Sequence, residues 1–283
     1  MDHPKVRPLE AFPVTVEGQQ MICLQDPIRI NESPMVVNGP TYFLLSLMDG
    51  TRDILDIQAD FARRTGEILF RDKVEGLVAQ LDETFLLDND RYRDHFRATQ
   101  EAFLSGPSRS CRHAGASYPK DPDELSAMLE SLLKQFEEPS LEMGNEPPVG
   151  LIAPHIDFAR GADVYAAAYG TIRRWVDAID LYVILGTCHH GLDRGFALTM
   201  KDYETPLGVA QTDGAFVERL ASRGGSQWFD EEFAHRDEHS IEFQAVWLRH
   251  LVPRDQPLRV VPILCGGLAH CMEEGGSPEN DED

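Results

Sequence analysis

The chain is short of basic residues. Its 283 residues carry 48 Asp and Glu against 26 Lys and Arg, a formal net charge of −22. Such a surface repels nucleic acid and anionic lipid unless a local basic patch compensates, and no Lys/Arg run is long enough to form one. Long apolar runs are missing too: none reaches the ~18 residues of a membrane span, and no basic-then-apolar signal stands at the N-terminus. Cysteine is sparse, and Cys23, Cys111, Cys188, Cys265 and Cys271 form no paired motif. An odd count without a disulfide framework fits a reducing cytosol, so the expected location is cytoplasmic. With nucleic acid and membranes set aside, the expected partners are small molecules, metal cations and proteins.

What is present supports a folded protein. Hydrophobic residues make up 42% of the chain, with 22 Gly and 18 Pro spread along it. A chain of this length suits one large domain or two modest ones and buries roughly 70–75% of its unfolded surface, so no disulfide scaffold is required.

Residues 1–95 read as a separate unit. "FPVTVEGQQMICLQD" predicts two short strands joined by Glu17-Gly18, and "TYFLLSLMDG" (41–50) a short helix. In 53–66, Ile54, Ile57 and Phe61 recur at helical spacing before Gly66, and in 68–88 Val74, Leu77, Val78 and Leu81 share one helix face ahead of a short apolar strand, 85–87. This strand-and-helix order predicts a small winged-helix-like α+β module. "LSGPSRSCR" (104–112) is polar and turn-rich, so residues 96–112 are expected to be a linker. A helix is expected over 121–136, with Asp121 as N-cap and Pro122 at N1, followed by an exposed loop.

From Val149 onward the pattern becomes α/β. The apolar runs "VGLIA" (149–153), "LYVIL" (181–185) and "RVVPIL" (259–264) read as buried strands. Helical patterns over 163–176, 213–222 and 240–252 lie between them. Buried strands alternating with helices predict a largely parallel sheet with helices on both faces.

Histidine gathers where those strands end. "APHID" puts His155 just beyond one predicted strand, and "GTCHHG" puts Cys188, His189 and His190 just beyond the next. Ligands of parallel α/β sheets bind outside the carboxyl ends of strands. The cluster can therefore bind a metal such as Fe, Cu or Zn, all suited to imidazole, or serve as hydrogen-bonding loop residues. In "RDEHSIEFQ" (236–244), Asp237, Glu238 and His239 open a helix. Acids there favour the helix dipole, which accounts for Asp237 and Glu238 without further function. His239 and Glu242, three apart, are expected on one helix face, as a metal's supporting pair or a general acid/base pair. "HAGASYP" (113–119) reads as a tight polar turn.

Six ordered segments, "HAGASYP", "APHIDFARG", "ILGTCHHG", "YETPLG", "DEHSIE" and "VPIL", resemble the Memo-like family, also described as the B component of the AmmeMemoRadiSam gene system. The resemblance runs from about residue 111 to 267. It implies a fold similar to class III extradiol dioxygenases, which hold a non-haem metal at the ends of parallel strands. It further implies His155 and His189 as metal ligands, Fe(II) or Cu foremost and Zn as a further choice. His239 would line the same pocket as an acid/base, with His113, His190 and Asp237 nearby. Where the family usually has "PHAG" and "GPSHH", this chain has "PHID" and "GTCHH", so Asp157 and Cys188 become pocket residues and candidate extra ligands. The family continues past the "VPIL" strand with an S-S-D-x-x-H segment and a late Cys-Gly segment, whereas this chain reads "CMEEGGSPENDED". The expectation is a Memo-like region, 113–283, that is incomplete at its C-terminus. The "DGTRDILDI" stretch and the apolar ending of 1–95 resemble the PqqD-like family of peptide-recognition domains.

Two functions follow as expectations. One is a metal-site protein with redox or dioxygenase-like chemistry, partnered by a small molecule or peptide and by a radical SAM protein of the same gene system. The other is a non-enzymatic peptide- or small-ligand-binding protein that uses the same cleft.

Overall fold

A computed structural model describes residues 2–135 and 146–266. Cys271, the acidic tail and most of the loop expected after residue 136 lie outside the described residues. The chain divides into two compact units, the first ending at Ala102 and the second starting at Phe103.

In the first unit, β1 (Glu10–Val16) and β2 (Gln19–Gln25) form an antiparallel hairpin, and β3 (Met35–Val37) adds to β2. The hairpin turns through Glu17 and Gly18, at φ 51° and 79°; glycine meets the second at no steric cost. Three helices follow: α1 (Gly39–Ser46), α2 (Ile54–Thr65) and α3 (Arg71–Glu83). Asn38 and Asp53 cap the first two through side-chain oxygens, and Gly66 ends α2 in the left-handed region. The predicted apolar helix faces close one core, in which Ile57, Val74 and Leu81 are fully buried. Beneath it, Arg7 and Asp26 form a buried ion pair at 2.9 Å, and Arg7 also donates to the Phe85 carbonyl. The strand expected over 85–87 reduces to one bridge, Val6 to Leu87, because Phe85 turns to φ 58°. Residues expected to begin a linker at 96 are helical, since α4 runs Asp90–Ser105. Its apolar positions Phe96, Phe103 and Leu104 are scattered among charges, which hid the helix in the sequence.

The second unit holds a six-stranded sheet of β4 (Ser108–Arg109), β5 (Tyr182–Thr187), β6 (Phe196–Leu198), β7 (Asp202–Thr205), β8 (Gly208–Thr212) and β9 (Leu258–Cys265). The order is β4-β7-β8-β9-β5, with β6 beside the second half of β9. β4–β7, β8–β9 and β9–β5 are parallel, while β7–β8 and β6–β9 are antiparallel. The sheet is thus mostly parallel, as expected. The antiparallel hairpin at "YETPLG" escaped prediction, because its alternation is too short to stand out.

Helices flank the sheet. α5 (Pro122–Gln135), α6 (Phe158–Ile172) and α8 (His239–Leu251) build the main core around Trp247, stacked on Tyr169 and Tyr165. On the other face α7 (Gly214–Gly224) packs Val217 with Leu198, Val261 and Ile263. The run 149–153 departs from expectation. Among the described residues it has no ladder partner, and Val149 and Ile152 are essentially fully exposed, at 109% and 98%. Among the described residues, no helix is long and apolar enough to cross a membrane.

Candidate functional site

The site forms where the end of β5 meets the start of α8. β5 approaches the helix closely at Gly186, where a Cβ would stand 2.5 Å from Ile241 Cγ1 and 2.6 Å from Ser240 Oγ. Ser240 Oγ donates to the Thr187 carbonyl at 2.9 Å, which ties the first turn of α8 to the strand end. The chain then leaves β5 through Cys188 and His189, and turns at Gly191 (φ 75°).

Glu238 is the centre of this junction. It is 1% exposed and caps α8, accepting from the main-chain N–H of His239 and Ser240 at 2.7 and 3.0 Å. The same carboxylate accepts from His189 N at 2.8 Å and stands 3.0 Å from His189 Nδ1 and 3.2 Å from His239 Nδ1. The hydrogen bond to the carboxylate selects the Nδ1–H tautomer of His189 and leaves its Nε2 with its lone pair, while His239 Nδ1 lies close to the same carboxylate without hydrogen-bonding to it. Among the described residues, neither Nε2 has a hydrogen-bond partner. Burial pushes the Glu238 carboxyl up, but the His189 and Ser240 N–H groups and the two imidazoles outweigh it, so it stays below its ordinary value.

The rings themselves converge. His189 and His239 stack with centroids 4.5 Å apart, His155 lies 5.1 Å from His189 and 6.0 Å from His239, and His113 lies 5.6 Å from His239. Burial lowers His239 to about 4, so its imidazole is neutral at pH 7. His189, Glu238 and His239 offer ligand atoms that all lie within 4.8 Å of one another, a group that does not include His155.

The other expected residues take different parts. His113 is buried and donates from Nε2 to the Asp237 carbonyl at 2.9 Å, so that nitrogen is turned from the cluster. Asp237 receives Arg112 Nε at 2.8 Å and also pairs with Arg236. Glu242 does not join His239. Fully buried, it pairs with Arg109, receives Tyr118 Oη, and accepts from the main-chain N–H of Arg112 and His113 at 3.1 and 3.0 Å. Three residues on from His239, it faces the turn at 109–118, where it acts as an anchoring anion. Asp157 caps α6 and pairs with Arg160. Cys188 points into the core, where burial raises its thiol to about 11 and Sγ donates to the Gly191 carbonyl. His190 is exposed in the turn and joins none of these contacts.

Sequence reasoning overlooked Glu238, because a helix-start acid already had a sufficient explanation. Arg109 was hidden in the supposed linker; a lone arginine before the "HAGASYP" turn gives no signal of a buried partner.

A strand end and a helix start that bring imidazoles together around a helix-capping carboxylate define an α/β protein with a histidine–carboxylate cluster. The family model described as Memo-like protein matches residues 109–274. A MEMO1 family protein of Aquifex aeolicus is 32% identical over 261 residues, 92% of this chain and 66% of that protein. One of Methanocaldococcus jannaschii is 36% identical over 156 residues, 53% of this chain and 54% of the relative. One of Thermus thermophilus is 27% identical over 217 residues, 77% of this chain and 63% of the relative. The chain belongs to the Memo-like family. It spans less than two thirds of the length of each of these relatives.

Proposed function

We propose that the histidine cluster is a metal site. His155, His189 and His239 would supply Nε2 donors, and Glu238 would fix the two imidazoles nearest it. The observation that carries this reading is the shared carboxylate, which hydrogen-bonds His189 Nδ1 and lies against the stacked His239 ring, both Nε2 atoms being unpartnered among the described residues. Neutral imidazoles suit Fe(II), Cu and Zn. A bound Fe(II) or Cu would supply redox and oxygen chemistry, in line with the family's likeness to class III extradiol dioxygenases. The chain's own residues would orient the donors and keep His239 neutral, able to accept a proton at Nε2 when it is not a ligand. His113 and Asp237 would brace the pocket wall, and Asp157, Cys188, His190 and Glu242 would act outside the donor set.

The test is elemental analysis of protein purified from metal-supplemented medium, beside a His155→Ala/His189→Ala double variant. Near-stoichiometric metal that the variant loses is expected. Sub-stoichiometric metal, unchanged in the variant, overturns the reading.

A second reading is a non-enzymatic binding protein for a peptide or small ligand. A largely apolar groove of about 760 Å³ that reaches His155 favours it. The three-stranded sheet and helices of the first unit support a PqqD-like peptide-recognition role, with a radical SAM protein of the same gene system as a further partner. Free thiols at Cys23, Cys111, Cys188 and Cys265 suit a cytoplasmic setting.

A further inference from the structure

Of the three imidazoles, His155 has the least obvious support. His189 follows the paired strand β5 and donates to Glu238 from its main-chain N–H and from Nδ1. His239 belongs to the first turn of α8. His155 instead lies in the stretch 151–157, which belongs to no helix or strand. Among the described residues its imidazole makes no hydrogen bond, only ring contacts with His189 and His239. Its place in the cluster is therefore inherited from the main chain on either side.

Both neighbouring carbonyls are held. The Pro154 carbonyl accepts from Gln244 Nε2 and the Ile156 carbonyl from Tyr165 Oη, each at 3.0 Å. Gln244 is itself fixed: Nε2 also donates to the Ser240 carbonyl at 3.0 Å, and Oε1 accepts from Tyr169 Oη at 2.6 Å. Turning the amide over would set Oε1 against two carbonyl oxygens, so one orientation alone satisfies all three partners. The two tyrosines stack on Trp247, with centroids 5.6 and 5.3 Å away. Gly161 makes room for Tyr165, since a Cβ there would stand 2.9 Å from its ring and 3.0 Å from Ile156 Cγ1. Pro154 and His155 are half-buried and Ile156 is exposed. Buried carbonyls require a protein partner, whereas those of an open stretch can be met by water. Two side-chain donors on such a stretch therefore act on its position.

We propose that Gln244 and Tyr165 are positioning residues that hold His155 in the cluster as its third donor. The donor role rests on the metal reading above; the clamp on the main chain does not. α8 supplies both His239 and Gln244, and α6 supplies Tyr165, so the two helices bring an unladdered stretch to the same pocket as the end of β5. Loss of either hydrogen bond lets His155 leave the pocket while His189 and His239 keep their places.

The test compares the intact chain with Gln244→Met, which keeps the length of the side chain without its donors, and with Tyr165→Phe, which removes one hydroxyl and keeps the ring. In metal-free protein, NMR cross-peaks between ring protons report the His155–His189 and His189–His239 contacts, 5.1 and 4.5 Å between centroids. Disappearance of the first in His155→Ala assigns it. Both variants are expected to weaken the first cross-peak and keep the second. Zn²⁺ affinity, read by competition with a chromophoric chelator, is expected to fall about tenfold or more, the effect of removing a group that orients a ligand. The proposal is overturned if the intact chain lacks the His155–His189 cross-peak, or if both variants retain it. Loss of both cross-peaks together also overturns it, since that marks a general loosening. Unchanged Zn²⁺ affinity in a variant that has lost the first cross-peak removes His155 from the donor set and overturns it as well. An intact chain that binds no Zn²⁺, with cross-peaks that behave as expected, overturns the metal reading and upholds the clamp.

Discussion

At Glu242 the carboxylate is fully buried, and Arg109 beside it is 1% exposed. Removing one partner of such a pair leaves a buried charge without compensation, which costs about 3–5 kcal/mol. Glu242→Ala is therefore expected to lower the urea midpoint sharply, whereas His239→Ala, at a partly exposed position, is expected to lower metal content with little loss of stability. An equal loss of stability in both variants would contradict the division between anchor and site. His235 supplies a pH dependence. Burial lowers its imidazole from the ordinary 6.5 to about 3. The unfolded chain thus binds a proton that the folded chain refuses throughout the interval between these values. Its contribution to stability is complete above about pH 6.5 and is lost as pH falls towards 3. Urea unfolding at pH 7 and pH 5 is expected to give the lower midpoint at pH 5. Between pH 7 and pH 5 carboxylates play little part, since their ordinary pKa values lie below about 5.

Among the elements, the β5–α8 contact is the tightest constraint on the site. Gly186→Ala would force a methyl group into Ile241 and Ser240, and overpacking of this kind costs about 1–3 kcal/mol. Because Ser240 follows His239, the displaced turn is also expected to reduce metal content, read by the same elemental analysis. A normal metal content in a destabilised Gly186→Ala protein would separate packing from site geometry. β5 and its parallel neighbour β9 were legible as continuous apolar runs, and α5, α7 and α8 through helical patterning. Elements whose pattern is short or mixed were not. The β7–β8 hairpin and β6 have three to five residues each, and α4 carries few apolar residues on a charged surface. Histidines 155, 189 and 239 were legible because they follow or precede regular elements. The roles of Glu238 and Glu242 were not, since helix periodicity states which face a residue shares and not which neighbour occupies that face. "VGLIA" read as a strand from composition alone, while a strand needs a partner as well as a propensity.

For the whole molecule, a net charge of −22 makes self-repulsion a general destabilising term. Raising salt from about 0.01 to 0.15 M shortens the screening length from about 30 to 8 Å. The thermal midpoint is expected to rise over that range, since most ion pairs here are surface pairs worth at most about 1 kcal/mol each. A falling midpoint would mean that those pairs outweigh the repulsion. Glu238 ties this global property to the local one. One carboxylate starts α8, hydrogen-bonds the His189 imidazole and lies against that of His239, the first residue of the helix, so an ion held by those rings also holds the helix. An occupied cluster would then act as a thermodynamic rivet, and each tenfold rise of free ion above its dissociation constant would add about 1.4 kcal/mol to the unfolding free energy. Melting temperature becomes a titration curve: a series of ions ranked by thermal shift would be ranked by affinity, without any knowledge of the reaction.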